Sequence, residues 1–167
     1  MKKLAIILMA LATLFTLSAC AAKPIVDGKP DGSDKPAADI GEWTVTVVTA
    51  SGEVEFTSAD AKKLGAVTIE ATKTNKNSES ITSEYTGVKL SDVLTHVGVS
   101  NFTGLTVEAS DSFAADYDRE IALSDDTILA WAVDGKLTDG ENPLQMAPKN
   151  GTGNQFVKQV AKIIIND

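Results

Sequence analysis

The chain contains a single cysteine, Cys20, and this count restricts both its fold and its chemistry. All residues that follow Cys20 must fold without an internal disulfide, so a hydrophobic core has to supply the stability. The same part of the chain has no thiolate with which to bind a metal or attack a substrate. Hydrophobic residues make up 43% of the sequence, which is enough for the core of one domain.

Cys20 also ends a segment that has the pattern of an export signal. Lys2 and Lys3 make its start positive, and residues 4–17 are apolar apart from two threonines. Such a run is too short for a permanent membrane-spanning helix and is typical of a signal peptide. An ordinary secretory signal with a chance cysteine is one interpretation. The quartet Leu17-Ser18-Ala19-Cys20 resembles the lipobox of bacterial lipoproteins, which favours a lipoprotein signal peptide over residues 1–19.

The lipobox resemblance implies a membrane anchor at Cys20. In bacterial lipoproteins this cysteine carries a diacylglycerol, the signal is removed before it, and the new N-terminus is usually acylated. Two or three acyl chains such as palmitate anchor a protein stably, whereas a single chain binds marginally. We therefore expect an extracytoplasmic protein, attached through its lipid to a bacterial membrane or cell surface.

Residues 20–40 are predicted to form a flexible tether behind the lipid. They contain three prolines, two glycines and several charged residues, but almost nothing to bury. Such a composition cannot offset the entropy of ordering. Without residues 1–19 the chain has 13 basic and 23 acidic side chains, a net charge of −10. This balance disfavours nucleic acid or an anionic lipid surface as a partner.

Residues 41–167 are predicted to be one domain that is rich in strands. Alternating apolar and polar residues predict a β-hairpin from 43–49 and 53–57. Ser58 is the expected N-cap of a short helix that ends at Gly65. Further strands are expected over 67–71, 105–109, 127–133, 144–146 and 156–165, with polar loops over 73–80 and 149–154.

The clearest helix signal lies between Leu90 and Gly98. Its apolar residues recur at i, i+3, i+4 and i+7, at positions 90, 93, 94 and 97. His96, the only histidine, lies off this face, so we expect a solvated residue rather than a metal ligand or a general base. Many strands, few short helices and no βαβ rhythm indicate an α+β fold.

Four segments of the domain have the order and approximate spacing of motifs in a known family. They are 84–94 with Tyr85-Thr86-Gly87-Val88, 107–113 with Ser110-Asp111, 127–137 with Leu129-Ala130-Trp131 and Asp134-Gly135-Lys136-Leu137, and 142–165 with Asn142-Pro143-Leu144-Gln145. The family that they resemble is the sulfite-oxidase-type oxidoreductase molybdopterin-binding domain. The resemblance implies that family's mixed, β-rich α+β fold with few short helices, and molybdopterin as the cofactor.

The residues that carry the family's chemistry differ in this chain. Family enzymes hold molybdenum through the cysteine of a C-x-G-N-x-R motif, and the matching segment contains Ala71 and Thr72 instead. The arginine of the family's P-L-R motif is Gln145, and Gln155-Phe156 replaces a Lys-Ser pair that contacts the cofactor phosphate. Neither an alanine nor a threonine can replace a soft thiolate ligand. We therefore expect no catalytic residue, no metal ligand and no bound cofactor.

Five residues are candidates for a retained ligand site, namely Tyr85, Asp111, Arg119, Asn142 and Lys158. The scaffold implied by the resemblance would form a cleft between the Asp111 turn, Tyr85 and the Asn142 loop. Arg119 is the only arginine, and it forms either an ion pair with the neighbouring acids or a contact with an anion. The acidic cluster around it, residues 111–120, lacks the spacing of a calcium loop and is expected to be solvated.

Three functions remain open at this point. The first is a surface lipoprotein whose non-catalytic domain binds a small molecule or a protein. The second is a molybdopterin-dependent oxidoreductase of the sulfite oxidase type that uses unusual ligands. The third is an interaction module of the cell envelope without a small ligand.

Overall fold

The computed structural model describes residues 39–167. The predicted signal peptide, the lipidation site Cys20 and residues 21–38 of the predicted tether lie outside this range. In the part that is described, no helix is long and apolar enough to cross a membrane.

Strands dominate residues 39–167, and short helices connect some of them. In chain order the elements are β1 (Thr44–Thr49), β2 (Gly52–Thr57), α1 (Ser58–Leu64), β3 (Val67–Thr74), β4 (Ser80–Lys89), α2 (Leu90–His96), β5 (Gly104–Ala109), β6 (Ala114–Asp118), α3 (Arg119–Leu123), β7 (Thr127–Val133), β8 (Lys136–Leu137), β9 (Gln145–Pro148), β10 (Asn150–Thr152), a 3-10 helix (Gly153–Gln155) and β11 (Val160–Asn166). This order confirms the predicted α+β class with few short helices.

The strands form two mixed sheets. Sheet 1 has the order β2-β1-β11-β5-β6 and contains the predicted hairpin, in which Val45 faces Phe56. Strand β11 runs parallel to β1 and antiparallel to β5, so it connects the hairpin to β5 within sheet 1. Sheet 2 has the order β10-β3-β4-β7-β8, and β9 pairs with β7.

The two predicted helices, α1 and α2, begin and end close to the predicted residues. The N-cap of α1 is Thr57 rather than Ser58, because the Thr57 side chain accepts the backbone hydrogen bond of Asp60 in a capping box. In α2 the predicted apolar face is buried at Leu90, Val93 and Leu94. The helix stops at His96, one residue before the end of the predicted face.

His96 is exposed, as predicted, and it also makes two contacts. Its Nε2 atom lies 3.6 Å from Asp60 Oδ1, and its ring meets the Phe56 ring edge-on at a centroid distance of 5.7 Å. These contacts link α2 to α1 and to the hairpin.

The mainly polar parts of β3 and β4 were not recognised as strands from the sequence. Strand β4 occupies ten residues, although no strand was predicted there. Residues 73–74 belong to β3 and Ser80 to β4, so the predicted loop over 73–80 shrinks to a turn. Hydroxyl pairs between the strands explain this, since Thr72 lies 2.8 Å from Thr82 and Thr74 lies 3.0 Å from Ser80.

The C-terminal part of the predicted pattern also needs correction. The loop expected over 149–154 contains β10 and the 3-10 helix, and the closing strand starts at Val160 rather than at Phe156. Gln159 has a φ of 53°, which interrupts the extended backbone just before β11.

Strand β7 divides two hydrophobic clusters because both of its faces are buried. Leu129 and Trp131 point into the main core between the sheets. Ile128 and Ala130 belong to a second cluster on the other face of sheet 2, with Ala71, Tyr85, Ala147 and Phe156. The two-sided burial accounts for the continuous apolar run that marks this strand in the sequence.

The main core extends one residue further toward the N-terminus than expected. Ile40 was assigned to the tether, yet it is only 4% exposed and packs within the main core. Trp43 and Trp131 are buried there, with ring centroids 6.2 Å apart. The packed domain therefore includes Ile40.

Candidate ligand-binding cleft

A cleft of about 780 Å³ opens on the face of sheet 2 that carries the second cluster. The strand register brings its lining residues together. Lys73 on β3 lies opposite Ile81 on β4, and Val133 on β7 lies opposite both Tyr85 and Lys136. Tyr85 and Val133 also belong to the second cluster, so the floor of the cleft is continuous with packed apolar side chains.

Tyr85 forms part of this floor. Its side chain is only 6% exposed, and its ring lies 5.6 Å from that of Phe156 between centroids. Burial, assisted by the negative charge of Asp134, raises the pKa of the phenol, so the hydroxyl keeps its proton at neutral pH. Within residues 39–167 this hydroxyl has no hydrogen-bond partner.

Gln145 is a second buried polar group in the lining. It pairs with Ala130 of β7 and forms an isolated bridge with Lys158, and it is 5% exposed. Its side-chain amide makes no hydrogen bond to any described residue. In the described part of the chain only Trp43 Nε1 is both sealed from solvent and unpaired, so the polar atoms of Gln145 and Tyr85 retain access to the cleft.

Three lysines give the lining a positive charge. Lys73, Lys136 and Lys158 come from three different segments, and none forms an ion pair within residues 39–167. Half of the six other lysines in residues 39–167 are paired with an aspartate, among them Lys89 with Asp125 at 2.7 Å and Lys149 with Asp126 at 2.9 Å. The lining contains a single acidic residue, Asp139.

The loop over residues 138–143 forms one wall of the cleft. The Thr138 hydroxyl lies within hydrogen-bonding distance of the Trp131 carbonyl oxygen on β7 and of the Pro143 carbonyl oxygen at the other end of the loop. Gln159 lies beside this loop, since a Cβ atom at Gly140 would be 3.1 Å from its Nε2 atom. The Ser110 hydroxyl donates a 3.0 Å hydrogen bond to Gln159, which also lines the cleft.

The structure brings three of the five predicted site residues together. Tyr85, Asn142 and Lys158 line the cleft, whereas Asp111 and Arg119 do not. Asp111 neighbours the Ser110 turn at the edge of the cleft, but its carboxylate accepts a hydrogen bond from the Phe113 backbone. Lys73 and Lys136 also line the cleft but were not predicted from the sequence. Alternation along β3 could have indicated Lys73, because it places this residue on the same face as Ala71.

Arg119 has a structural role that neither interpretation anticipated. Its guanidinium donates hydrogen bonds to the carbonyl oxygens of Phe102, at 2.9 Å, and Ser100, at 3.2 Å. It also lies 5.0 Å above the Phe102 ring centroid. Two of its donors bind backbone carbonyl oxygens after α2, and within residues 39–167 Arg119 forms no ion pair and does not line the cleft.

The acidic cluster supports local structure. Asp118 caps α3 by accepting the Ile121 backbone hydrogen bond at 2.8 Å, and Asp116 accepts a 2.6 Å bond from Thr106. Within residues 39–167, no group of three or more histidine, cysteine, aspartate or glutamate side chains could hold a metal ion.

The residues that stand in place of the family's cysteine motif and of its Lys-Ser pair have structural roles in this chain. Ala71 is fully buried in the second cluster opposite Ser83, and the Thr72 hydroxyl pairs with Thr82 on the other face of the sheet. Gln155 accepts the Thr152 backbone hydrogen bond, which begins the 3-10 helix. Phe156 is 3% exposed in the second cluster.

Comparisons with known proteins agree with this geometry. The family model described as "Oxidoreductase molybdopterin binding domain" matches residues 33–167. A search of curated proteins gives no match. Among solved structures, the sulfane dehydrogenase SoxCD from Paracoccus pantotrophus is similar, with a TM-score of 0.64 and 21% sequence identity. The similarity covers 75% of this chain and 38% of that one, so this chain spans well under half of the longer protein's length.

Proposed function

The chain belongs to the oxidoreductase molybdopterin binding domain family, and we propose that it is a lipid-anchored member that binds a small molecule without molybdenum catalysis. Its fold is that of the family. The proposal concerns what the cleft holds, how the protein is attached, and which chemistry its residues allow.

The side chain at Ala71 supports the non-catalytic part of the proposal. Molybdopterin would bring a metal that family enzymes hold through a thiolate, and a thiolate suits this metal because it is soft and charged. Ala71 offers a methyl group that is completely buried among apolar neighbours. The hydroxyl of Thr72 is directed to the opposite face of the sheet, where it pairs with Thr82. These residues do not fit a molybdenum centre.

The cleft itself carries the binding part of the proposal. A volume of about 780 Å³ lies in the range of small-molecule sites, which is roughly 300–1,000 Å³. A domain that had lost every ligand would be expected to fill such a space with side chains or to pair its buried polar groups. The residues Tyr85 and Gln145 are more than nine-tenths buried, but their polar atoms are open to the cleft and have no partner within residues 39–167, so a ligand can bond to them.

The anchor part of the proposal comes from the residues before the domain. The quartet that ends at Cys20 resembles a lipobox, and the segment between it and the domain is rich in proline, glycine and charge. Lipidation at Cys20 would place the domain outside the cytoplasm, with the membrane as its partner through the acyl chains.

Metal analysis of the purified protein tests the non-catalytic role. The chain is expressed in a host that makes the molybdenum cofactor, and a family enzyme with its cysteine is purified in parallel as the control. We expect no stoichiometric molybdenum and no turnover of sulfite or sulfoxide. Nearly one molybdenum per chain would instead support the oxidoreductase hypothesis, in which the cleft lysines hold the anionic cofactor.

A further inference from the structure

We propose that the ligand of the cleft is a metal-free organic anion with an apolar group. This inference rests on the proposed function and adds the chemical class of the ligand. It is carried by three features of the lining, which are its lysines without an ion-pair partner, the two polar groups at its floor that have no partner within residues 39–167, and its apolar rim.

The charge of the lining is opposite to that of the domain. Residues 39–167 contain 10 basic and 20 acidic side chains, a net charge of −10. Three of those 10 basic residues line the cleft, together with one of the 20 acidic residues. In a chain with two acids for every base, three lysines without an acidic partner create a local positive potential, which attracts an anion.

The backbone holds the three lysines around the same space. Lys136 follows the tight turn at Asp134-Gly135, in which both residues have positive φ values, and Lys158 is bridged to Gln145. Lys73 passes close to Gly153, where a Cβ atom would lie 3.5 Å from its Cε. An ammonium group has only donors, so these three side chains recognise oxyanions and repel cations.

Tyr85 and Gln145 supply neutral hydrogen-bonding groups at the floor. The phenol keeps its proton and donates, and the Gln145 amide both donates and accepts. Because these atoms lack partners in residues 39–167 but remain accessible from the cleft, a ligand with polar atoms at that depth would satisfy them. They favour an organic ligand over a small inorganic ion.

The rim of the cleft indicates an apolar portion. Ile81 is 63% exposed and Leu137 is 49% exposed, and both line the cleft. They are two of the five large hydrophobic residues that are exposed in the described part of the chain. A ligand that buried an aromatic or aliphatic group against them would remove apolar surface from water.

Calorimetric titration with 2-naphthyl phosphate tests the inference, because this probe combines an oxyanion with an apolar ring. The full chain is used, with detergent blanks for the lipidated form. Inorganic phosphate lacks the apolar part, and neutral 2-naphthyl glucoside lacks the charge. We expect 2-naphthyl phosphate to bind about tenfold more tightly than either control. Equal affinity for the phosphate ester and the glucoside would overturn the inference.

Variants identify the site. Lys73→Gln, Lys136→Gln and Lys158→Gln should each weaken 2-naphthyl phosphate binding about tenfold, since each removes one charge-assisted contact. Lys62→Gln, on α1 and outside the lining, is the matched control and should bind as wild type. Ile81→Ser should reduce the preference for the ester over inorganic phosphate. Thermal unfolding of each variant verifies that it is folded.

The outcomes separate this inference from the function on which it rests. Suppose that the chain contains no molybdenum, binds the neutral glucoside as tightly as the ester, and loses this binding in Gln145→Ala. The proposed small-molecule function would then stand, and the inference that the ligand is an anion would be overturned. Unchanged binding of 2-naphthyl phosphate by a variant that carries Lys73→Gln, Lys136→Gln and Lys158→Gln together would also overturn the inference that the ligand is an anion. Stoichiometric molybdenum would overturn the proposed function itself.

Discussion

Gln145 on β9 and Lys158 in the segment before β11 are partners in an isolated antiparallel bridge at the edge of the cleft. The bridge fixes a buried amide and an exposed ammonium group side by side. Gln145 also pairs with Ala130 of β7, so its position depends on the centre of sheet 2. Backbone pairing to sheet 2 therefore holds both of these lining residues.

The anchor is tested by Cys20→Ser. Since the lipidated thiol is the only attachment that the sequence predicts, this change should move the protein from the detergent phase to the aqueous phase and leave the domain folded. Phase partitioning of both forms, with circular dichroism as the check on folding, measures this. Equal partitioning of the two proteins into the aqueous phase would contradict lipidation.

Ile40 should contribute to stability even though it precedes the first strand. Its side chain is 4% exposed in the main core, so Ile40→Ala should lower the free energy of unfolding by about 2–5 kcal/mol. Glu42→Ala, two residues later and exposed, is the control and should change stability by less than about 0.5 kcal/mol. Urea unfolding measures both, and equal effects would place Ile40 outside the core.

Helix α2 offers a sharp contrast between neighbouring residues. Leu94 is 1% exposed, so Leu94→Ala should cost about 2–5 kcal/mol through lost burial and the cavity that remains. His96→Ala removes an exposed ring that touches Phe56 and Asp60, and it should cost far less. A larger loss for the histidine in denaturant unfolding would mean that the buried face of this helix is wrongly assigned.

The Asp60 carboxylate should make stability depend on pH. A hydrogen bond from Lys63, reinforced by one from the Thr57 hydroxyl, lowers the pKa of Asp60 from 3.8 to about 2. The folded state therefore holds this proton more weakly than the unfolded state does. The stabilisation is present above about pH 4 and is lost as the pH falls toward 2.

Asp60→Asn measures this contribution. The variant should be less stable than wild type at pH 7, and the difference should narrow between pH 4 and pH 2, where wild type becomes protonated. Urea unfolding at several pH values gives the comparison. A difference that stays constant down to pH 2 would contradict the assignment.

The sequence predicted those parts of the fold whose pattern is local. The apolar run of β7, the hairpin around Gly52 and the apolar face of α2 each depend on neighbours in the chain. The polar strand β4 was largely missed because its threonines pair with threonines of β3, and such pairs leave no apolar alternation. The mixed, β-rich fold was predicted from the family resemblance, whereas the strand order was not predicted, because local patterns do not contain it.

The cleft could be predicted only in part, because its lysines are distant in sequence. Lys73 and Lys136 come together through the register of β3 with β4, β4 with β7, and β7 with β8. Lys158 joins them through its bridge to Gln145 on β9, which pairs with β7. No local pattern reveals that register. The net negative charge of the chain also gave no indication of a positively charged cleft.

Gly87 should tolerate no side chain, and this tests the contact between β4 and β7. The pairing of these strands shifts register between Thr86 and Gly87, and a Cβ atom at residue 87 would lie 2.2 Å from the Leu129 carbonyl oxygen. Neither strand can move away easily, because Leu129 is fully buried in the main core and Val88 beside Gly87 is as well. Gly87→Ala should therefore destabilise the domain by about 3 kcal/mol or more, at the upper end for overpacked sites.

Gly98→Ala is the matched control for this prediction. Gly98 has a φ of 79°, so alanine is strained there, but no atom lies within 4 Å of its added Cβ. Its cost should stay near 1 kcal/mol, the usual penalty for a left-handed residue. Denaturant unfolding of both variants should place Gly87→Ala well below Gly98→Ala in stability. The reverse order would show that β4 and β7 approach less closely than the register indicates.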